Sequence, residues 1–114
     1  MLESNRDTQY VKLLEDFRGS FAQVWSYEPS LKRLVMRLSF KDSDQVLFIF
    51  SVGTERFSGN LSWHESDIII QEDQNVYGET VTYLKDQIAN FELLSSGGIA
   101  LRLGTKSENI PTWQ

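Results

Sequence analysis

Apolar residues recur at offsets of three and four near the start of the chain, where Tyr10, Val11, Leu13, Leu14 and Phe17 make one stripe. That spacing predicts an amphipathic α-helix, because 3.6 residues per turn bring these positions to one face. Ser4 and Asp7 stand as a capping box at its start, and Gly19 supplies the permissive backbone that ends it. From residue 21 the period falls to two. FAQVWSYE sets Phe21, Trp25 and Tyr27 against Ala22, Val24 and Ser26. After the turn EPS, LKRLVMRLSF sets Leu34, Met36, Leu38 and Phe40 against Arg33, Val35, Arg37 and Ser39. Alternation of this kind predicts strands with one face in a core.

QVLFIFSV is apolar on both faces, which predicts a central strand covered by the helix on one side and by other elements on the opposite side. Further strands are expected at ERFSG, SDIIIQ, TVTYL, NFELLS and GIALRL, separated by turn-forming Gly, Asn, Asp and Ser. Residues 83–91, YLKDQIANF, read as strand in preference to a short helix, although Tyr83, Leu84, Gln87 and Ile88 also meet a helical spacing. SSGG at 95–98 suits a turn that needs positive φ. Short connections and the lack of a second convincing helix exclude parallel crossovers. The expected fold is therefore α+β, with one N-terminal amphipathic helix packed on an antiparallel meander sheet of about six to seven strands. At 114 residues the chain is expected to form a single globular domain over 1–114. Residues 106–114 form a tail of weak pattern in which only Ile110 and Trp113 stand out.

Composition changes this picture mainly by exclusion. A hydrophobic content of 40% supports a core at this length without a covalent or metal staple. The absence of cysteine removes disulfides, thiolate metal sites and cysteine nucleophiles. MLESNRDTQY carries no basic or apolar leader pattern, and no run approaches the roughly 18 apolar residues that span a bilayer. A soluble, cytoplasmic protein with no membrane partner is expected. The net charge of −5 also weighs against nucleic acid. Basic residues dominate from Arg18 to Lys41, where Arg18, Lys32, Arg33, Arg37 and Lys41 face Glu28 alone. Acidic residues dominate from Asn60 to Glu92, where Lys85 alone opposes them.

Candidate chemistry is sparse. His64 is the only histidine, so the two- or three-histidine sets of catalytic zinc sites are out of reach. No G-x-S-x-G elbow, P-loop or dinucleotide fingerprint occurs. DQNVYGETVTYL matches a calcium loop at Asp73, Asn75 and Gly78 but places Tyr77 and Leu84 where oxygen ligands belong. No catalytic residue, metal or cofactor is assigned, and the balance leans against an enzyme. What remains is recognition. Trp25, Tyr27, Arg33, Arg37 and Trp63 are residue types that dominate binding hot spots, and Glu72, Asp73 and Glu79 crowd one acidic loop. The leading expectation is a non-enzymatic protein-binding module of immunity, inhibitor or adaptor type, acting through the acidic surface or the aromatic and arginine patch. The alternatives are a small-ligand binder or enzyme using a pocket near His64, Glu65 and Asp67, and a structural subunit. As an oligomer the chain is a monomer or a homodimer.

Overall fold

A computed structural model describes the backbone of residues 2–108 and the side chains of residues 8–108. The Ser4 and Asp7 side chains, Ile110 and Trp113 lie outside the described residues. Helix α1 spans Leu2–Asp16. Among the described residues nine strands follow: β1 Phe21–Glu28, β2 Arg33–Ser39, β3 Gln45–Val52, β4 Thr54–Ser58, β5 Ser62–Trp63, β6 Ile68–Gln74, β7 Thr80–Asp86, β8 Phe91–Ser95 and β9 Ile99–Thr105. All their pairings are antiparallel.

The strands form two sheets, one in the order β5-β1-β2-β3-β9 and the other β4-β8-β7-β6. This corrects the single meander of six to seven strands. Two chain reversals that carry almost no pattern account for the difference. At Gly53 the chain leaves β3 for β4 in the second sheet within one residue, and at 96–98 it returns from β8 to β9. These corners lie against each other. Gly97 N donates to Val52 O at 2.9 Å, Val52 N to Gly98 O at 3.0 Å, and Ser95 Oγ to Val52 O at 2.5 Å. Gly53 has φ +66, and a Cβ there would stand 2.7 Å from Ser96 Oγ and 3.0 Å from Gly97 N, so only glycine fits.

The core lies between the sheets. Ala22, Leu34, Met36, Leu38, Leu47 and Ile49 meet Ile68, Leu84, Phe91 and Leu93 of the opposite layer, and Phe17 joins the same buried cluster. Leu13 and Leu14 pack against it, and Phe17 stacks on Phe40 with centroids 5.7 Å apart. Val11, expected on the same stripe, is instead 56% exposed. β3 lies inside its sheet between β2 and β9, as its doubly apolar pattern predicts. Residues 83–91 resolve into the end of β7, a tight turn and the start of β8, without a helix.

Candidate functional site

A bulge in β1 decides the fate of the aromatic and arginine patch. Val24 pairs with Met36 but Ser26 pairs with Val35, so one extra residue enters β1 between them and the side-chain alternation is reset. Trp25 keeps the outer face of Phe21 and Gln23, with the Arg37 guanidinium 4.1 Å from its ring centroid, and the residues beyond it are reversed. Tyr27 pairs with Leu34, whose side chain belongs to the core, and meets Phe57 edge-on at 5.3 Å. The expected sharing of one face by Trp25 and Tyr27 is thus corrected. Arg33, Arg37 and Trp25 do come together on the outer face of the first sheet, beside Val35, Val46, Phe48 and Phe50. Those four apolar residues are buried, and Arg102 lies 5.5 Å from the Phe48 ring centroid. Burial pushes the Arg37 guanidinium below its ordinary value. The patch is a filled layer, not an open platform.

Trp63 belongs to the interior. Its ring lies 4.7 Å from Phe91, and its Nε1 donates to Asp86 Oδ2 at 2.7 Å. Asp86 accepts three further bonds, from Asp67 N at 2.8 Å, Ile88 N at 2.8 Å and Ala89 N at 2.7 Å. Burial alone would raise this carboxyl. The hydrogen bonds from the Asp67, Ala89 and Ile88 amides and the Trp63 indole outweigh it and hold the group below its ordinary range. With four donors on its two oxygens, Asp86 has little capacity left for catalysis. Sequence reasoning counted it only as charge. The available signal was an Asp followed by the turn residues Gln87–Asn90, where a carboxylate commonly accepts from amides two and three places on.

His64 is exposed and stacked on Phe21, with centroids 4.6 Å apart. Glu65 beside it adopts a left-handed turn at φ 55. Asp67 is half-buried and holds Arg18 Nε at 3.3 Å. No group of three or more His, Cys, Asp or Glu side chains among the described residues is arranged to hold a metal ion.

The acidic loop is the turn of the β6–β7 hairpin. Asn75 organises it: Oδ1 accepts from Tyr77 N at 2.9 Å and Glu79 N at 3.0 Å, while Nδ2 donates to Glu79 Oε1 at 3.0 Å. Asn75 N also donates to Glu79 O at 2.9 Å, and Gly78 N to Asn75 O at 3.0 Å. The turn so fixed displays Val76 and Tyr77, which are 91% and 83% exposed, between the exposed carboxylates of Glu72, Asp73 and Glu79. Glu92 on the neighbouring strand differs, being held by Arg56 at 3.0 Å and Lys85 at 3.6 Å.

Comparison with protein-family models, curated proteins and solved structures finds no match.

A cavity of about 590 Å³ adjoins the base of the same hairpin. One wall is the α1 face carrying Val11, Leu14 and Glu15, continued by Arg18 in the turn that follows. The other is the edge strand β6 from Ile68 to Glu72, with Ile99 and Thr82 adding to the lining. His64 and Glu65 are not among its lining residues. Such a space, lined by aliphatic and polar groups in comparable measure, can hold a small molecule or a short stretch of chain. Sequence periodicity did not reveal it, because it depends on how the helix stands off from a sheet edge.

Among the described residues no helix is long and apolar enough to cross a membrane.

Proposed function

We propose that the protein is a non-enzymatic protein-binding module that presents the acidic β6–β7 hairpin to a basic surface of a protein partner. The observation that carries this reading is the hairpin turn. A tyrosine 83% exposed is held in place by a side-chain-bonded turn and flanked by Glu72, Asp73 and Glu79. Leaving Tyr77 and Val76 in water has no value to folding. An ordered turn also reduces the entropy that a contact must overcome. An exposed tyrosine on a turn bordered by Asp73 and Glu79 suits a binding hot spot, with complementary charge accelerating encounter. The arginines do not compete for this role, since Arg37 is stacked on Trp25 and Arg102 is bonded to Glu108 at 3.1 Å.

The test is affinity capture from the native source with the tagged protein, followed by titration of the purified partner against wild type, Tyr77→Ala and the double change Asp73→Lys with Glu79→Lys. Each variant is expected to weaken the complex by about tenfold or more, and added salt to weaken it further. A complex indifferent to salt and to both variants would refute the reading.

A further inference from the structure

The open edge of β6 faces the cavity beside α1, and the hydrogen-bond pattern shows which of its groups are unused. Gln87 N donates to Asp67 O at 3.0 Å, and Asn75 N donates to Glu79 O at 2.9 Å. The register between these points is unbroken from Ile68 opposite Asp86 to Gln74 opposite Thr80. In an antiparallel ladder hydrogen-bonded and non-hydrogen-bonded pairs alternate, so the odd positions of β6 bond to β7. The amides and carbonyls of Ile68, Ile70 and Glu72 therefore point away from β7, toward the open edge. All three residues line the cavity. Among the described residues no strand pairs with this edge.

From this alignment we infer that the groove between α1 and β6 takes an extended segment of the protein partner as an added strand. The inference rests on the binding-module reading and specifies how the partner engages. Strand addition satisfies exposed backbone groups that no apolar small molecule would satisfy. Three alternate positions at about 3.4 Å per residue ask for an extended segment of about five residues. Side chains of the added strand that share the face of Ile68 and Ile70 meet Leu14 and Ile99, so aliphatic residues belong at alternate places. Charge selects the remainder. Glu15 and Glu72 form no ion pair among the described residues, whereas the guanidinium at the margin, Arg18, is already held by Asp67. A lysine or arginine on the same face as the aliphatic residues is the complementary partner.

The probe is the peptide acetyl-Lys-Thr-Val-Thr-Val-Thr-Lys-amide, which presents the same aliphatic and cationic face in either strand direction. Titration by NMR is expected to shift the amides of residues 68–72 and 10–18, and to slow hydrogen exchange at Ile68, Ile70 and Glu72. Replacing both lysines by glutamate, or methylating alternate peptide nitrogens, is expected to weaken binding by about tenfold. Glu15→Lys, an exposed change, is expected to lose affinity for the lysine peptide and gain it for the glutamate peptide. The cavity lining does not include Tyr77, so the peptide titration and the Tyr77→Ala partner titration read different surfaces and failure of one is separable from failure of the other. Absence of binding overturns the proposal. So does equal binding of the N-methylated peptide, which would mark a simple apolar pocket. A concentration-dependent dimer that protects the same amides without peptide would assign the edge to a second copy and overturn it as well.

Discussion

Replacing Asp86 by asparagine tests the account of the interior most directly. The carboxylate is 5% exposed and accepts from Trp63 Nε1, Asp67 N, Ile88 N and Ala89 N, two donors at each oxygen. Asparagine keeps one acceptor oxygen and sets an NH2 group against the other two donors, leaving two buried donors facing a donor. A hydrogen bond to a charged acceptor contributes about 1.5–3 kcal/mol, so Asp86→Asn should cost roughly 3–5 kcal/mol. Against a typical total of about 5–15 kcal/mol this is a large share, worth roughly 10–20 °C in melting temperature. The assay is urea unfolding followed by circular dichroism and by tryptophan fluorescence. The pH dependence adds a second check. The folded carboxyl lies below its ordinary value of 3.8, so its stabilisation is fully present above that value and is lost as pH falls through the lower folded value. The gap between wild type and Asp86→Asn should therefore be constant near neutrality and narrow in acid. A cost under about 1 kcal/mol at neutral pH, or a gap that acid leaves unchanged, would refute the reasoning.

Other substitutions probe the corner, the indole and the surface. Gly53→Ala should destabilise by about 1–3 kcal/mol in the same unfolding assay, because it forces a left-handed residue against Ser96 and Gly97. Trp63→Phe keeps an aromatic ring beside Phe91 but removes one donor from Asp86, for an expected cost of about 1–3 kcal/mol. Tyr77→Ala and His64→Ala, both at exposed positions, should each stay within about 0.5 kcal/mol of wild type. Tyr77→Ala alone should weaken partner binding, as read by titration calorimetry.

Strand positions were legible wherever one pattern governed a whole element. FAQVWSYE, QVLFIFSV and SDIIIQ coincide with β1, β3 and most of β6, because alternation or double-sided apolarity is enforced by burial on one or both faces. The division into two sheets was not legible, since it rests on Gly53 and on backbone bonds at 96–98 that impose no periodicity. The bulge at Trp25 escaped for a related reason. One inserted residue reverses every side chain beyond it, and nothing in the alternation of FAQVWSYE marks the insertion. Of the candidate residues, Glu72, Asp73 and Glu79 keep the solvent exposure their charge implies, while Trp63 is drawn inside by a partner 23 residues away. Long-range pairing of that kind has no local signature.

The two charge regions of the sequence have different physical fates, and this directs attention to one side of the molecule. On the first sheet the basic residues are used internally, with Arg37 over Trp25 and Arg102 held by Glu108 against Phe48 and Phe50. On the second sheet Glu92 is neutralised by Arg56 and Lys85 and Asp86 is sealed in the core, but Glu72, Asp73 and Glu79 make no ion pair among the described residues. The uncompensated carboxylates of the second sheet therefore gather on the β6–β7 hairpin, which also carries the exposed tyrosine at its turn and, at its base, a strand edge unpaired among the described residues. Glu72 is common to both, lining the cavity and standing among the acidic residues of the hairpin. A partner with a basic extended segment would satisfy the edge amides and the carboxylates in one approach. Its affinity should then fall with salt in proportion to the carboxylates engaged, while the backbone bonds persist.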